Sequence, residues 1–248
     1  ASAAKRSAVI IFRLDMPLLI NNNSKLRLFC KVNHFYYYFC HIKANMKINP
    51  PKIIRRLFPT FIWNFPEVKD AVFLTFDDGP RPEVTPWVLD QLDKYGAKAT
   101  FFCLGKNVEM FPELFKEILR RGHSVGNHSY SHIKGWGMDT ADYVRDIDVA
   151  DEMIHSNLYR PPYARIGPNQ ARVLSERFHA IMWSVISRDY SKSLSGKRVA
   201  KNVIKEMEPG DIIVFHDSIK CAQNLWVALP AVLENIKERG LKCRRIEL

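Results

Sequence analysis

The sequence predicts an α/β fold with about seven parallel strands and a barrel-like closure. From residue 71 onward, apolar runs rich in β-branched and aromatic residues alternate with helical patterns. Such alternation is typical of a parallel sheet with right-handed helical crossovers, and seven strands with six or more helices fit a barrel better than a small open sheet. Short polar motifs follow five of the apolar runs, at the place where α/β proteins build active sites.

The periodicity gives each element its approximate bounds. Strands are expected near 71–76, 98–104, 123–127, 157–160, 179–186, 211–216 and 241–246. Helices are expected near 83–95, 110–121, 139–156, 169–177, 195–207 and 224–239. An Asp139-Thr140 cap signal begins the third helix, and Glu208-Pro209-Gly210 ends the fifth.

Composition divides the chain into three parts. The 248 residues are 47% hydrophobic, which is enough to bury one substantial core. Residues 1–45 contain an Asn run, a Tyr run and no sustained period, so we interpret them as a leader or upstream segment outside the fold, with Met46 as a candidate start. Residues 46–70 are interpreted as a lead-in, and residues 71–248 as the folded domain.

The net charge of +11 lies largely in the first part. Residues 1–45 carry seven Lys or Arg and one Asp, whereas the rest of the chain carries 30 basic and 25 acidic residues. The folded part is only mildly basic and has no basic and aromatic stripe with a known motif, which argues against a nucleic-acid partner. An anionic cell-wall substrate stays open.

Cysteine spacing and hydropathy bear on the compartment. The five cysteines are far apart without a CxxC pair, which predicts mostly buried free thiols and fits a reducing compartment. No apolar run reaches the roughly 20 residues of a membrane span, because Arg13 and Asp15 interrupt residues 8–20, and no clear signal peptide is present. A cytoplasmic location is the default expectation. Action at the cell envelope and the oligomeric state are left open.

Two acids and two histidines form the first pair of motifs. Asp77 and Asp78 follow an apolar run that Gly79-Pro80 ends, so both carboxylates can reach one site; an acidic β-turn is the alternative. His128 and His132 have a spacing with which two imidazoles meet one ion, although coincidence also produces it. Two histidines with one carboxylate are a common catalytic zinc or iron set.

Two further motifs contribute cationic groups. In Arg160-Pro161-Pro162-Tyr163 the prolines stiffen the chain, which can aim the arginine at a carboxylate and a backbone N–H at an oxyanion. A Pro-rich connector with a surface arginine is the alternative. His216 ends a buried run, where a lone histidine is more often a core residue. Because Asp189 follows the preceding run, we interpret His216 as a carboxylate-supported general acid.

The chain resembles the polysaccharide deacetylases, carbohydrate esterase family 4 or the NodB-homology domain, over about residues 70–248. The matching motifs, in the family's order, are TFDDGP, NHSYSH, RPPY, SRDY and IIVFHDS. The resemblance implies a distorted (β/α) barrel with a divalent metal ion, usually zinc or cobalt. It implies Asp78, His128 and His132 as the metal ligands and Asp77 as the general base.

The same resemblance implies the remaining roles. Arg160 would orient Asp77, and the backbone N–H of Tyr163 would stabilise the oxyanion. Asp189 would tune His216, which would protonate the departing amine. The resemblance thus gives every role that the reaction needs a residue in this chain.

The chain departs from the family pattern at three positions. Ala164 stands where Gly usually follows RPPY, Ile186 replaces the first Asp of the fourth motif, and Tyr190 replaces the groove-wall Trp. None of the three is a metal ligand or a proton-transfer group. The departures therefore bear on the identity of the substrate more than on the chemistry.

The resemblance implies an enzyme that removes N-acetyl groups from amino sugars of a polysaccharide or oligosaccharide of chitin or peptidoglycan type. The partner would be the N-acetylated glycan, and zinc the expected metal, with cobalt or another first-row ion open. A deformylase or cyclic-amide hydrolase of the same superfamily is one alternative. A carbohydrate-binding pseudoenzyme is another, and the complete set of catalytic residue types argues against it.

Overall fold

The computed structural model describes residues 59–248. The predicted leader over residues 1–45 and most of the lead-in therefore lie outside the described residues. No helix in the described part is long and apolar enough to span a membrane.

In the described part of the chain, eight strands, all paired in parallel, form one sheet. The strands are β1 (Ala71–Asp77), β2 (Thr100–Cys103), β3 (Ser124–Asn127), β4 (Leu158–Tyr159), β5 (His179–Ala180), β6 (Val185–Ile186), β7 (Ile212–His216) and β8 (Lys242–Cys243). Their order along the sheet is β5-β4-β3-β2-β1-β7-β6, and β8 pairs with β1 beside this path. The α/β class and the parallel sheet predicted from the sequence are confirmed.

Within residues 59–248, seven α-helices alternate with these strands. They are α1 (Thr85–Lys94), α2 (Gly105–Met110), α3 (Pro112–Arg120), α4 (Thr140–Ile154), α5 (Pro168–Leu174), α6 (Gly196–Glu206) and α7 (Ala222–Glu238). The side chain of Asp139 accepts a hydrogen bond from the N–H of Ala141, which confirms the predicted cap of α4. The helix predicted over 110–121 begins later, because Pro112 starts α3 after the separate short helix α2.

The run predicted as one strand over 179–186 is divided between the two ends of the sheet. Ile181 N–H donates to the carbonyl of Tyr159 beside β4, whereas Ser184 N–H donates to the carbonyl of Ile212 on β7. The intervening residues cross from one end of the sheet to the other. This crossing is why two strands replace the single predicted one.

The lead-in joins the same two ends. Ile62 forms a parallel bridge with Ile181, and Asn64 forms an antiparallel bridge with Asp211, next to β7. The sheet is thereby curled into a distorted barrel, with residues 62–64 lying at the seam between its ends.

The central strand β1 is buried along its whole length. Phe76 stacks between Phe101 and Phe215 on the neighbouring strands, with ring centroids 5.1 and 6.1 Å away. Because side chains alternate along a strand, Thr75 and Asp77 face the opposite side from Phe76. The packed aromatic layer thus fixes the strand that carries the first acidic motif.

The cysteines of the described part are free thiols, as predicted. Cys103 and Cys221 are buried and Cys243 is partly buried. Cys30 and Cys40 lie outside the described residues.

Candidate active site

The carboxyl ends of the strands surround a cavity of about 310 Å³. Six of the eight residues singled out from the sequence line it: Asp77, Asp78, His128, His132, Tyr163 and His216. The other two, Arg160 and Asp189, are buried behind its wall. Motifs up to 139 residues apart in the chain are therefore brought together at one edge of the sheet.

The pairing of adjacent strands explains part of this convergence. Asp77 at the end of β1 is the register partner of His216 at the end of β7. Asp78 has a left-handed backbone conformation, with φ 78°, and its carbonyl accepts a hydrogen bond from Asn107 Nδ2 at 2.7 Å. This turn in the backbone allows two consecutive carboxylates to reach one cavity, which regular strand geometry would prevent.

Asp78, His128 and His132 form a compact group of possible metal ligands. Their ligand atoms lie within 4.8 Å of one another. Asp78 Oδ1 is 3.2 Å from Nε2 of His132 and 3.8 Å from Nε2 of His128, yet this buried oxygen accepts no hydrogen bond from the described residues. A buried carboxylate oxygen without a donor is costly, and one that faces two imidazole nitrogens fits a divalent cation.

The protonation of these groups suits a metal site. Burial lowers the pKa of His128 to about 4, so its imidazole is neutral at physiological pH. Burial alone would raise the pKa of Asp78, but the close approach of His132 and the charges of the surrounding histidines hold it well below its usual range. An ionised carboxylate and a neutral imidazole are the forms of Asp78 and His128 that can bind a divalent ion.

Each histidine of this group is oriented through its other ring nitrogen. Nδ1 of His128 lies 2.8 Å from the carbonyl oxygen of Arg160. Nδ1 of His132 lies 3.0 Å from the hydroxyl of Tyr163. Both contacts leave Nε2 on the side of Asp78. The sequence did not predict the contact between Tyr163 and His132.

Arg160 is fully buried and holds Asp77 in place. Its Nη1 donates to Asp77 Oδ1 at 2.6 Å and to Thr75 Oγ1 at 2.8 Å. Nε donates to the carbonyl of Ile181 at 2.9 Å, Nη2 donates to that of Met182 at 3.0 Å, and the guanidinium carbon lies 4.0 Å from the centroid of the Phe102 ring. The arginine is therefore fixed on several sides and gives Asp77 one orientation.

His216 forms a hydrogen-bonded pair with Asp189. Nδ1 of His216 lies 2.7 Å from Asp189 Oδ1, and the backbone N–H of His216 donates to Oδ2 at 2.8 Å. Burial alone would lower the pKa of His216, but the charge of Asp189 and this hydrogen bond raise it to about 9. The ring of Tyr190 packs edge-on against the imidazole at 5.3 Å. His216 is thus a cation near neutral pH, with Nε2 left free of the pair.

The Tyr163 backbone is turned into the left-handed region, with φ 58°. Its N–H donates no hydrogen bond within residues 59–248, so it is available to an oxyanion. Ala164, where the family usually has Gly, is also left-handed, with φ 54°, and its methyl group is buried. The other two departures, Ile186 and Tyr190, line the cavity wall.

Comparison with known proteins places this geometry in a family. The sequence model of the polysaccharide deacetylases matches residues 66–177. A peptidoglycan-N-acetylglucosamine deacetylase of Bacillus cereus is 31% identical over 247 aligned positions, gaps included, and the match covers 84% of this chain and 90% of the relative. The chain belongs to the polysaccharide deacetylase family. A chitooligosaccharide deacetylase of Rhizobium leguminosarum bv. trifolii is 34% identical over 155 aligned positions, and that match covers 59% of this chain and 71% of the relative.

Solved structures of this family share the distorted barrel. The crystal structure of the Bc1960 peptidoglycan N-acetylglucosamine deacetylase superposes with a TM-score of 0.72 at 33% identity, covering 75% of this chain and 91% of that one. A family member described as a pseudoenzyme, BA3943 of Bacillus anthracis, superposes with a TM-score of 0.67 at 26% identity, covering 75% and 66%. The polysaccharide deacetylase fold therefore occurs in both enzymes and pseudoenzymes.

Proposed function

We propose that this polysaccharide deacetylase hydrolyses the N-acetyl amide of an amino sugar in a polysaccharide or oligosaccharide, releasing acetate and a free amine. Residues 71–248 would form its catalytic domain. The observation that carries the proposal is the donor-free Asp78 Oδ1 facing two imidazoles, with a fixed carboxylate and a cationic imidazole in the same cavity. The named activities of the relatives support both chitin-type and peptidoglycan-type substrates.

Asp78, His128 and His132 would hold the metal ion, and we propose zinc. When bound there, such an ion polarises the acyl oxygen and lowers the pKa of water toward neutrality. Cobalt and other first-row ions fit the same donor set, because two imidazoles and a carboxylate suit several of them.

Asp77 would act as the general base. Its Oδ1 is bonded to Arg160, so the carboxylate has one orientation and Oδ2 remains for the proton of the attacking water. The carboxylate of Asp77 is therefore positioned to accept that proton.

The backbone N–H of Tyr163 would stabilise the tetrahedral oxyanion. It belongs to a rigid segment, because the N–H of Ala164 donates to the carbonyl of Pro161 and the N–H of Arg165 donates to that of Pro162, both at 3.0 Å. A donor that does not need to move as charge develops is an effective oxyanion stabiliser.

His216 would protonate the leaving nitrogen. Asp189 occupies its Nδ1, so the proton on Nε2 is the one available to the cavity. An amine is a poor leaving group without protonation, and the raised pKa keeps this imidazole charged at neutral pH.

The test measures acetate released from N-acetylglucosamine oligomers and from peptidoglycan. Chelator-treated protein should be inactive and should regain activity with Zn²⁺ or Co²⁺. His132→Ala should lose both metal and turnover, whereas Asp77→Asn should retain metal and lose turnover by about 10²–10⁴-fold. His179→Ala, an exposed histidine outside the cavity, is the matched control and should retain both. Near-native turnover in Asp77→Asn would contradict the assignment of the base.

The same assay separates the alternatives. A deformylase would release formate from N-formyl sugars faster than acetate, and a cyclic-amide hydrolase would open a lactam without releasing either acid. A pseudoenzyme would bind the oligomers without product. The complete Asp77, Asp78, His128, His132 and His216 set supports turnover rather than binding alone.

A further inference from the structure

The two histidines of the candidate metal group are oriented by different kinds of partner. His128 contacts a backbone carbonyl, that of Arg160, and only 4% of its side chain is exposed. His132 contacts a side chain, the phenol of Tyr163, and 21% of its own side chain is exposed. The first contact is built into the main chain, whereas the second depends on one hydroxyl group.

The loop that carries His132 gives its ring little other support. His132 lies in the loop after β3 with φ 62°, and its backbone N–H donates a hydrogen bond to Ser129 Oγ at 3.0 Å. These interactions fix the backbone of His132 but not its ring. The imidazole lies against the rings of His128, at 5.1 Å between centroids, and Tyr163, at 4.5 Å, and its Nε2 faces Asp78. The Tyr163 hydroxyl is the group that contacts Nδ1.

Tyr163 is itself well placed to orient a neighbour. Pro161 and Pro162 precede it, and the 3₁₀ turn Pro162–Ala164 fixes its backbone. The residue as a whole is 53% exposed, so packing in the core does not explain the orientation of its side chain. The phenol oxygen nevertheless lies within hydrogen-bond distance of a single nitrogen, Nδ1 of His132.

We propose that the side chain of Tyr163 is a positioning residue for His132: its hydroxyl accepts the Nδ1–H and keeps the lone pair of Nε2 directed at the metal. This role is separate from that of the Tyr163 backbone N–H, and the inference rests on the proposed metal-dependent function. In the other tautomer the proton would be on Nε2, and that nitrogen could not be a ligand. By accepting from Nδ1, the hydroxyl therefore favours the tautomer that binds through Nε2 as well as the ring orientation.

Tyr163→Phe tests the inference cleanly. The variant retains the ring, the backbone N–H and the edge-to-face contact, and removes only one oxygen from a half-exposed side chain. Zn²⁺ affinity of the metal-free protein, measured by competition with a chelator, should fall about 10–100-fold. The visible spectrum of the Co²⁺-loaded variant should change as well, because the direction of one ligand is no longer fixed.

Tyr190→Phe is the matched control. It removes a phenol oxygen from the same cavity, but this ring packs on His216 rather than on a metal ligand. Its Zn²⁺ affinity should stay within about twofold of the parent. Thermal unfolding of the metal-free proteins should give the same midpoint for all three.

The outcomes separate the two proposals. Equal Zn²⁺ affinity in Tyr163→Phe and the parent would overturn the positioning role, and so would an equal loss in Tyr190→Phe. If the parent releases acetate and binds Zn²⁺ while Tyr163→Phe binds just as tightly, only this inference fails. If the parent does not bind Zn²⁺ at all, the proposed function fails and the inference fails with it.

Discussion

The carboxylate of Asp217 occupies the space that a side chain at Gly79 would need. A β-carbon built on Gly79 would lie 2.1 Å from Asp217 Oδ2. Asp217 is fully buried, its Oδ2 accepts a hydrogen bond from Thr85 Oγ1 at 2.6 Å, and its N–H donates to the carbonyl of Asp77 at 3.1 Å. The residue after His216, the proposed general acid, is therefore packed directly against the turn that carries the acidic motif.

Gly79→Ala should destabilise the protein by about 1–3 kcal/mol, because the added methyl group overlaps a buried carboxyl group that is hydrogen-bonded to Thr85. Urea unfolding of the metal-free protein measures the free energy. Zn²⁺ affinity should fall in parallel, since Asp78 is the preceding residue.

Asp217→Ala provides the control for this overlap. The loss of unfolding free energy in the double variant Gly79→Ala with Asp217→Ala should be smaller than the sum of the two single losses, by about 1 kcal/mol or more. The reason is that the methyl group enters the space that the carboxylate leaves. Strict additivity of the two free-energy changes would contradict the steric explanation.

Arg160→Met should cost about 3–5 kcal/mol of unfolding free energy. The change leaves the charge of Asp77 buried without its partner and removes donors from Thr75 and two carbonyl groups. Arg145→Met is the comparison, since its ion pair with Asp142 is more than half exposed on both sides and should contribute about 0–1 kcal/mol. Similar losses of unfolding free energy in the two variants would show that the buried pair contributes no more to stability than the exposed one.

Turnover should decline as the pH rises through about 9. His216 must be protonated to act as the acid, and although burial lowers its pKa, Asp189 raises it to that value. Asp189→Asn removes the charge that raises the pKa, so the alkaline limb of the pH profile should move to lower pH. A limb at the same pH in this variant would show that another group titrates there.

The same pair links stability to pH. The folded pKa of His216 lies above the unfolded value of 6.5, so the pair stabilises the fold fully below about pH 6.5. This contribution is lost as the pH rises from there through about 9. The difference in unfolding free energy between the parent and Asp189→Asn should therefore shrink across that range, and a difference that is constant with pH would count against the pair.

The convergence of the motifs could be predicted from the sequence because the ends of parallel strands meet at one edge. An apolar run locates Asp77 and His216, and the register of β1 with β7 then places them side by side. The division of the run over 179–186 could not be predicted in this way. An apolar run has the same pattern whether it pairs with one neighbour or crosses between two, and the choice depends on distant residues such as Tyr159 and Ile212.

Contacts that depend on unusual backbone angles could not be predicted from the sequence either. The phenol of Tyr163 reaches His132 because both residues have positive φ, which non-glycine residues adopt rarely and which no local pattern here announces. The close packing of Asp217 on Gly79 had a weak signal, since the acid directly follows His216 in its motif. In that motif, the chemistry of the side chains indicated a role for His216 and none for Asp217.

One guanidinium links the closure of the barrel to Asp77, the proposed general base. Arg160 is bonded to Asp77 and also to the carbonyls of Ile181 and Met182, within the segment that crosses between the sheet ends. Any loosening of that crossing removes two of the bonds that hold the arginine and so releases the carboxylate. On heating, activity should therefore be lost at the same temperature at which the barrel opens. A folded but inactive state should not be populated at lower temperature.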